Sequence, residues 1–322
     1  MGASTLGSRA IIGLFFQKLE AYMGKSWVDA ISMRFDSDQA SETYPWLGMV
    51  PAMREWIGPR LAHVLRENGL IIYNKKFEAT IDIALDDIRR DKTQQINIRI
   101  GELAVRAVEH WAKLLSTFIS NGTGSTNGLC YDGQYYFDSD HSEGASGSQS
   151  NLLTSSEVSA LNVTTAAAPT AAEAMSAIMG VIAYMLTYKD DQGEPINANA
   201  REFLVMTSPY LMGPFASALF NRIVNTGSGA IDNTIMGLAE KEGFKIQLAI
   251  NPRLTWTTNF ATFRTDGQVK PMIRQEEVAL EMSSKAEGSD YEHDNDAWQF
   301  GAKAVRNVGY GMWQHATHAT LS

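Results

Sequence analysis

A long apolar stripe between residues 96 and 118 constrains the fold of this chain more than any other feature. Apolar side chains recur there at spacings of three and four, the period of one face of an α-helix. They are Ile96, Ile100, Leu103, Ala107, Trp111, Leu114 and Phe118. The stripe ends at the glycine-rich segment NGTGSTNG, which predicts the end of the helix. A helix of about 25 residues is roughly 38 Å long, so we expect it to form the spine of a domain.

The residues before this spine alternate between apolar and polar side chains. Residues 70–85 read LIIYNKKFEATIDIAL, in which every second residue from Phe77 to Leu85 is apolar. This alternation is typical of a half-buried antiparallel strand. Together with the run at 60–66 and the turn ENG at 67–69, it predicts a long hairpin over residues 60–85. A two-stranded hairpin is marginal in water, so we expect it to lie against another surface.

The N-terminal segment predicts an arm. A helical pattern at 9–23 is followed by the polar stretch RFDSDQASET. Such a segment has little core of its own and should pack on something else. A second copy of the chain is one such partner.

The second half of the chain predicts a mixture of helices and strands. Thr170 and Glu173 form the T-x-x-E pattern that opens a helix. The strand EFLVMT follows, then Ser208 before a proline predicts a short helix that breaks near Gly213 and Pro214. With the strand FKIQLAI, residues from about 160 to 260 predict a compact α+β subdomain. Strands return in LTWTTNFATF, PMIRQEEVALEMS and WQFGAKAVRNVGYGMWQHATHATL.

Composition narrows the possible functions. The net charge of −9 argues against a chain whose main task is to grip phosphate backbones, yet it is compatible with one that surrounds nucleic acid. Cys130 is the single cysteine, which excludes an internal disulfide and favours a reducing compartment. The segment AIIGLFF near the start lacks a cleavage site, and no apolar run reaches the ~18 to 20 residues of a membrane span. We therefore predict a soluble, cytoplasmic chain without a membrane partner.

One loop concentrates groups that can hold a metal. Asp132, Asp138, Asp140 and His141 are close in sequence, but they lack the glycine and distal glutamate of a calcium loop. Aspartates that hydrogen-bond their own turn are the alternative. Cys130 could form a thiolate pair with His141, or be a buried, inert residue. The sequence contains neither a G-x-S-x-G elbow nor an H-E-x-x-H motif, and we predict no catalytic residue, metal or cofactor.

Two charged groups are candidates for contacts between copies. Lys75 and Lys76 lie on the predicted hairpin, and five carboxylates cluster late in the chain. These carboxylates are Glu287, Asp290, Glu292, Asp294 and Asp296. The two groups are either solvated surfaces or complementary patches on neighbouring copies, because opposite charges set register in assemblies.

The stretch YPWLGMVPAMREWIGPR at residues 44–60 is rigid and mixed in polarity. Its three prolines restrict the backbone and so reduce the entropy lost on docking. Trp46 and Trp56 are of the type that anchors interfaces, and Arg54, Glu55 and Arg60 can pair with charges on a neighbour. The alternative is that both tryptophans fill the core of their own subunit.

Three motifs resemble the Mu-like major head subunit family, gpT, among the major capsid proteins of tailed phages. They are PWLGMVPAMREWIGPR leading into NKKFEATIDIALDDIRRD, LCYDGQYYFDSDH, and NVGYGMWQ near the end. The resemblance covers residues 44–316 and implies the α+β capsid fold of the Hong Kong ninety-seven type. It divides the chain into an N-terminal arm at 1–48, an E-loop region with a long β-hairpin at 49–92, a P-domain at 93–160 and 262–322, and an A-domain at 161–261. The spine helix, at about 94–120, belongs to the P-domain.

The resemblance also implies a function. A major capsid protein of a tailed phage or prophage self-assembles into hexamers and pentamers of an icosahedral shell that encloses double-stranded DNA without sequence-specific binding. The expected partners are other copies, a scaffold, a portal and a maturation protease, and the expected location is the virion, after assembly in the host bacterial cytoplasm. The alternatives are another phage structural protein, such as a tail-tube or decoration subunit, and a cytoplasmic metal-dependent hydrolase that uses the Asp132–His141 loop.

Overall fold

The computed structural model of the chain describes residues 7–22, 26–44, 69–90, 95–226 and 229–322. The α-helices are α1 Ser8–Tyr22, α2 Val28–Ile31, α3 Leu85–Arg90, α4 Gln95–Ser120, α5 Ala171–Met185, α6 Met212–Phe220, α7 Thr234–Glu242 and α8 Asp290–Asn295. The strands are β1 Ser32–Asp36, β2 Ser41–Tyr44, β3 Leu70–Tyr73, β4 Lys75–Ala84, β5 His141–Ser142, β6 Ser148–Gln149, β7 Leu152–Leu153, β8 Glu202–Thr207, β9 Ile223–Thr226, β10 Gly229–Asp232, β11 Lys245–Ile250, β12 Asn259–Arg264, β13 Met272–Lys285, β14 Ala297–Tyr310 and β15 Ala316–Thr320. Short 3-10 turns lie at Ser125–Asn127, Ser159–Leu161, Pro209–Leu211 and Trp313–His315.

Two sheets organise the chain. The first has the order β1-β13-β14-β4, with β1 parallel to β13 and the other pairs antiparallel. The second has the order β11-β8-β12-β15-β7, with parallel pairs at both edges and antiparallel pairs between them. In chain order, β14 is the last strand of the first sheet, and the strand that follows it, β15, belongs to the second sheet. The predicted α+β class is confirmed.

Helix α4 connects two hydrophobic cores. Its N-terminal half places Ile100 and Leu103 in a core shared with α1, β4 and β14. Its C-terminal half places Leu115 and Ile119 in the larger core beneath the second sheet. The predicted spine helix is confirmed over Gln95–Ser120, and the structure adds that one helix carries an apolar face into both cores.

The N-terminal segment has more core than its sequence indicated. Helix α1 packs along α4, and Ile11 and Phe15 are fully buried in that contact. Strand β1 then joins the edge of the first sheet beside β13. In the described residues the arm therefore packs on its own subunit. The sequence pattern did not reveal this because the partners of α1 lie on distant parts of the chain.

The predicted hairpin has different strand partners in the described part of the chain. The second run is divided at Asn74 into β3 and β4. Strand β3 pairs with β2 in the N-terminal segment, and β4 pairs with β14 near the C-terminus. The run at 60–66 lies outside the described residues. Sequence reasoning paired runs that are adjacent in the chain, whereas these partners are set by tertiary packing.

The second half follows most of its predicted pattern. The hydroxyl of Thr170 accepts the Glu173 amide at 3.2 Å, and the Glu173 carboxylate accepts the Thr170 amide at 2.8 Å, which confirms the capping box. The predicted break near Pro214 is wrong, because α6 runs through it. Pro214 is in the first helical turn, where an amide donor has no partner within the helix. Ser208 occupies the predicted N-cap position with Pro209 first in the 3-10 turn, but its hydroxyl donates to the carbonyl of Trp256 and accepts no backbone amide of the turn.

The predicted strands of the second half are confirmed. EFLVMT and FKIQLAI correspond to β8 and β11, and the later runs correspond to β12, β13, β14 and β15. The second sheet also takes β7 and β15 from outside residues 161–261. The boundaries of the four regions stay predictions.

Candidate inter-subunit surfaces

Five of the seven predicted contact residues cannot be placed on the fold. Trp46, Arg54, Glu55, Trp56 and Arg60 lie outside the described residues. Their role in contacts between copies stays a prediction. Strands β2 and β3, which flank this segment, are nevertheless described.

The base of that segment is docked on the first sheet. The Tyr44 hydroxyl donates to the Gln275 side chain at 2.8 Å, and burial, followed by the nearby Glu42 carboxylate, raises the pKa of Tyr44 to about 12. The Gln275 amide donates to the Ile72 carbonyl at 3.1 Å, and Asn307 donates to the Tyr73 carbonyl at 2.7 Å. Both ends of the segment that carries the tryptophans are thereby held against β13 and β14.

Lys75 and Lys76 begin β4, and both side chains are exposed. They lie opposite Arg306 and Val305 of β14. No ion pair joins either lysine to another residue in the part of the chain that the structure describes. The two lysines therefore present unneutralised positive charge at one end of the first sheet.

Beneath this end of the sheet a buried arginine contacts the spine helix. Arg306 donates from Nε to Nδ1 of His110 at 3.1 Å and lies 4.6 Å from the ring centre of Trp111. Burial, followed by Arg306 and Lys113, lowers the pKa of His110 to about 4. His110 is therefore neutral near pH 7, which leaves its Nδ1 free to accept.

Two ion pairs fasten the N-terminal segment to the same sheet. Arg34 of β1 lies 2.5 Å from Glu276 of β13, whose carboxylate also lies 3.7 Å from Arg306. Arg274 of β13 lies 2.6 Å from Asp29 of α2. Because Glu276 and Arg306 are both buried, each charge depends on its partner for compensation.

The carboxylate cluster lies at the opposite end of the sheet. Helix α8 joins β13 to β14 there; the Ser289 hydroxyl caps its N-terminus, and Glu292 accepts from the Trp298 indole at 3.0 Å. Asp290, Asp294 and Asp296 are exposed. The register places Ala297 opposite Ala84 and Arg306 opposite Lys75. At ~3.3 Å per residue the acidic and basic ends are roughly 30 Å apart, too far to pair within one subunit.

The motifs LCYDGQYYFDSDH and NVGYGMWQ, far apart in sequence, pack on each other. Tyr136 stacks on Tyr310, with ring centres 4.5 Å apart and planes at 10°. Tyr131 and Gln314 share hydrogen bonds of 2.8 and 3.0 Å. Cys130 is buried and lies 3.8 Å from the Gly311 carbonyl. The contact explains why both segments carry aromatic residues.

The aspartate–histidine loop forms a closed polar cluster. Nδ1 of His141 lies 2.5 Å from Oδ2 of Asp132, and Nε2 lies 3.2 Å from Oδ1 of Asn151. The Asn151 amide nitrogen donates to the Tyr136 and Trp313 carbonyls, so its oxygen must face His141. Both ring nitrogens of His141 are thus occupied by partners within the protein.

The hydrolytic and thiolate hypotheses find little support in this cluster. The side chains of His141 and Asp132 are 0% and 1% exposed and are bonded to each other. Burial, and then the Asp132 carboxylate, raise the pKa of the Cys130 thiol well above its ordinary value, which disfavours the thiolate. Among the described residues, no group of three or more histidine, cysteine, aspartate or glutamate side chains is arranged to hold a metal ion. None of the helices described is long and apolar enough to cross a membrane.

The second half of the chain also contains an exposed ribbon that its sequence pattern does not indicate. Strands β9 and β10 pair only with each other in the described residues. Ile223 and Ile231 on this ribbon are 57% and 42% exposed, and Phe220 just before it is 63% exposed. The alternation is too short to have been recognised, since each strand has only four residues.

A family model described as the Mu-like prophage major head subunit gpT matches this chain. It matches residues 14–168 and 251–321 of this chain. The matched residues include α4, the first sheet and the two motifs that pack on each other. They amount to more than half of the chain.

Two curated proteins match a shorter region. The Mu-like prophage FluMu major head subunit of Haemophilus influenzae is 38% identical over 109 residues, which is 34% of this chain and 34% of that protein. The major capsid protein of Escherichia phage Mu is 33% identical over 116 residues, which is 36% of this chain and 37% of that protein. The match thus spans about a third of the length of these relatives.

Solved structures match over nearly the whole chain. A subunit of the procapsid of bacteriophage JBD30 matches 98% of this chain and 75% of its own, with a TM-score of 0.54 and 21% identity. A subunit of the mature capsid of bacteriophage PhiM1 matches 94% of this chain and 88% of its own, with a TM-score of 0.53 and 13% identity. At these identities the likeness concerns the fold.

Proposed function

The chain belongs to the Mu-like prophage major head subunit family gpT, and from that membership we propose that it is the major capsid protein of a tailed phage or prophage. Its fold is that of tailed-phage capsid subunits, the Hong Kong ninety-seven type. The observation that carries the proposal is the coincidence of a family match over 14–168 and 251–321 with a capsid-like fold over nearly the whole chain. We assign the chain a structural role and no catalytic one.

In this proposal the regions of the fold have distinct tasks. Residues 1–48 are the N-terminal arm, 49–92 the E-loop region, 93–160 with 262–322 the P-domain, and 161–261 the A-domain. The position of α4 in both cores supports its role as the spine of the P-domain. The pairing of β2 with β3 supports an E-loop whose base begins within the segment assigned to the arm.

The subunits assemble with copies of themselves into hexamers and pentamers of an icosahedral shell. Scaffold, portal and maturation protease are the proposed assembly partners, in the host cytoplasm, and the virion is the final location. The shell encloses double-stranded DNA without sequence-specific contacts. The net charge of −9 supports this, because an acidic lining does not bind the phosphate backbone tightly.

The contact residues between copies are Lys75 and Lys76 together with Trp46, Arg54, Glu55, Trp56 and Arg60. The separation of the basic and acidic ends of the first sheet supports charge pairing between subunits rather than within one. Such a contact joins different surfaces of two copies, the kind of contact that generates rings.

Assembly of the purified, concentrated chain tests the proposal. We expect rings, sheets or shells in negative-stain electron micrographs, either alone or with its scaffold. A chain that stays monomeric under both conditions would contradict the proposal. Tubes of stacked six-fold rings would instead favour a tail-tube subunit.

A further inference from the structure

The ribbon formed by β9 and β10 packs on its own subunit through one side of β9. An isolated pair of short strands is marginal in water. Val224 anchors one side of β9 in the larger core, while all four residues of β10 are exposed. Most of the ribbon's surface is therefore exposed in the single subunit.

The strand register gives the two faces of the ribbon different chemistry. Ile223 lies opposite Asp232, and directly opposite residues of an antiparallel pair share a face. The outer face of the ribbon, defined by Ile223 and Asp232, is thus apolar and negative. Successive residues alternate in direction, so Val224 and Ile231 belong to the other side.

Arg222 supplies the opposite charge on that other side. The carbonyl of Arg222 accepts the Asn233 amide at 2.9 Å, so the antiparallel pairing continues one residue beyond β9. Arg222 therefore lies on the same face as Val224 and Ile231, which is the inner face of the ribbon. The Arg222 side chain is exposed. No ion pair joins Arg222 or Asp232 to another residue in the ranges that the structure describes.

We propose that the ribbon is a contact between copies of this chain, in which the outer face of one ribbon meets the exposed Arg222 and Ile231 side chains at the rim of the inner face of the next. Ile223 then packs against Ile231 of the second copy, and Asp232 pairs with its Arg222. A second copy is the occupant because it supplies both the apolar side chain and the opposite charge that each face lacks. The two faces differ, so the contact is head-to-tail, the kind that forms a ring when the rotation between copies closes. The inference rests on the proposed capsid function and adds to it a surface that holds each ring together.

A charge-swap series tests the pairing. Arg222→Asp and Asp232→Arg each place like charges in contact, so we expect each to lower the assembled fraction by about tenfold or more in sedimentation velocity. The double variant restores opposite charges with reversed polarity, and we expect it to recover to within about threefold of the wild type. Single variants that assemble normally, or a double variant as defective as the singles, would overturn the proposal.

A second pair of variants tests the apolar part of the contact. We expect Ile223→Ser to impair assembly, and Tyr210→Ser to leave it unchanged, although Tyr210 is 68% exposed in the turn that precedes α6. Equal assembly of both variants, or equal loss, would contradict the inference. Circular dichroism identifies any variant that fails to fold. In that case Arg222→Gln and Asp232→Asn replace the charge reversals, and we expect each of them to lower the assembled fraction as well.

These outcomes separate the two proposals. A wild-type chain that forms no ring or shell contradicts the capsid function itself. A wild-type chain that assembles, alongside ribbon variants that assemble equally well, contradicts only the ribbon contact.

Discussion

The close approach of neighbouring atoms explains why the motif NVGYGMWQ contains Gly309 and Gly311. A Cβ atom on Gly309 would lie 2.3 Å from Cδ1 of Ile72, and one on Gly311 would lie 2.5 Å from the Lys270 carbonyl oxygen. Both distances are far below van der Waals contact. Gly309 lets strand β3 lie against β14, and Gly311 lets the chain pass the two residues that precede β13.

We expect Gly309→Ala to lower the free energy of unfolding by roughly 1–3 kcal/mol, since the added methyl group displaces Ile72 from the core. Gly301→Ala is the matched control, because it lies in the same strand and its Cβ would make ordinary 3.6 Å contacts with Ser283 and Thr80. Urea unfolding measures both variants. Equal stability of the two would show that the approach of Ile72 is not tight.

Buried histidines make the stability of this chain depend on pH. Burial lowers the pKa of His318 to about 4, from an ordinary 6.5. The folded state keeps the ring neutral, while the unfolded state takes up a proton below about pH 6.5. The stabilisation is therefore present above pH 6.5 and is lost as the pH falls toward 4.

Replacing His318 with phenylalanine should flatten part of this dependence. The ring lies against Phe137 and Trp256, with centre distances of 5.4 and 4.9 Å, so a phenyl group fits its surroundings. We expect the variant to lose less stability than the wild type between pH 6.5 and 4.5, by up to roughly 2 kcal/mol. The exposed His293→Gln is the control. Unfolding curves at several pH values decide, and parallel curves for His318→Phe and the wild type would refute the assignment.

Among the secondary-structure elements, α4 makes one unit of two cores. The N-terminal half of α4 packs in the core shared with α1, and its C-terminal half packs in the larger core. Strand β14 also reaches both, because Phe300 lies in the core shared with α1 and Tyr310 lies in the larger core. Helix α1 adds to the first of these cores only. The N-terminal helix is thus part of the stable subunit, while its function as an arm depends on the segments that follow it.

Phe15→Ala tests this role of α1. Its side chain is fully buried against α4, so we expect a loss of roughly 3–5 kcal/mol, the usual cost of deleting a buried aromatic ring. Phe16→Ala is the control, because Phe16 is only half-buried beside it. Chemical unfolding measures both. A loss no larger for Phe15 than for Phe16 would mean that α1 is not anchored in the core.

At the scale of the whole molecule, charge is distributed along the first sheet with lysines at one end and carboxylates at the other. The proposed shell requires contacts of this head-to-tail kind. The separation of the two ends makes the charges available to neighbours.

Reversal of the basic end should therefore impair assembly and spare the fold. We expect Lys75→Glu combined with Lys76→Glu to retain the wild-type circular dichroism spectrum, because both side chains are exposed. Sedimentation velocity should show fewer assembled particles, with partial recovery when Asp290 and Asp294 are replaced by lysine. If the variant with Lys75→Glu and Lys76→Glu assembles normally, these two lysines lie on a solvated surface and not in a contact between copies.

Trp56→Ala tests one of the candidate contact residues in the segment at 44–60. We expect a folded subunit with impaired shell assembly, because tryptophan is the type of residue that anchors interfaces. Circular dichroism and electron microscopy on the same sample separate folding from assembly. A loss of folded structure would instead assign Trp56 to the core of its own subunit.

Much of the local structure was predictable from local patterns. The spine helix, the capping box at Thr170 and the strands β8 and β11 all follow from periodicity or from a cap within a few residues. An error arose at Pro214, because a proline in the first turn of a helix removes no hydrogen bond within that helix. The predicted position of Ser208 is confirmed, but a distant carbonyl decided where its hydroxyl donates. The cluster of Asp132 and His141 was recognised as chemically distinct, but its closure depended on Asn151 and Trp313.

Local patterns and composition were enough to predict the α+β class, the long helix, the acidic balance and the motifs that resemble the head subunit family, because each is a property of neighbouring residues or of their sum. The pairing of β3 with β2 and of β4 with β14, and the packing of α1 on α4, became known from the folded molecule. The folded molecule also shows which face of the β9–β10 ribbon carries which charge. Strand pairing and helix packing join residues far apart in the chain, and their free energy comes from burying surfaces together. No local pattern records which surfaces those are.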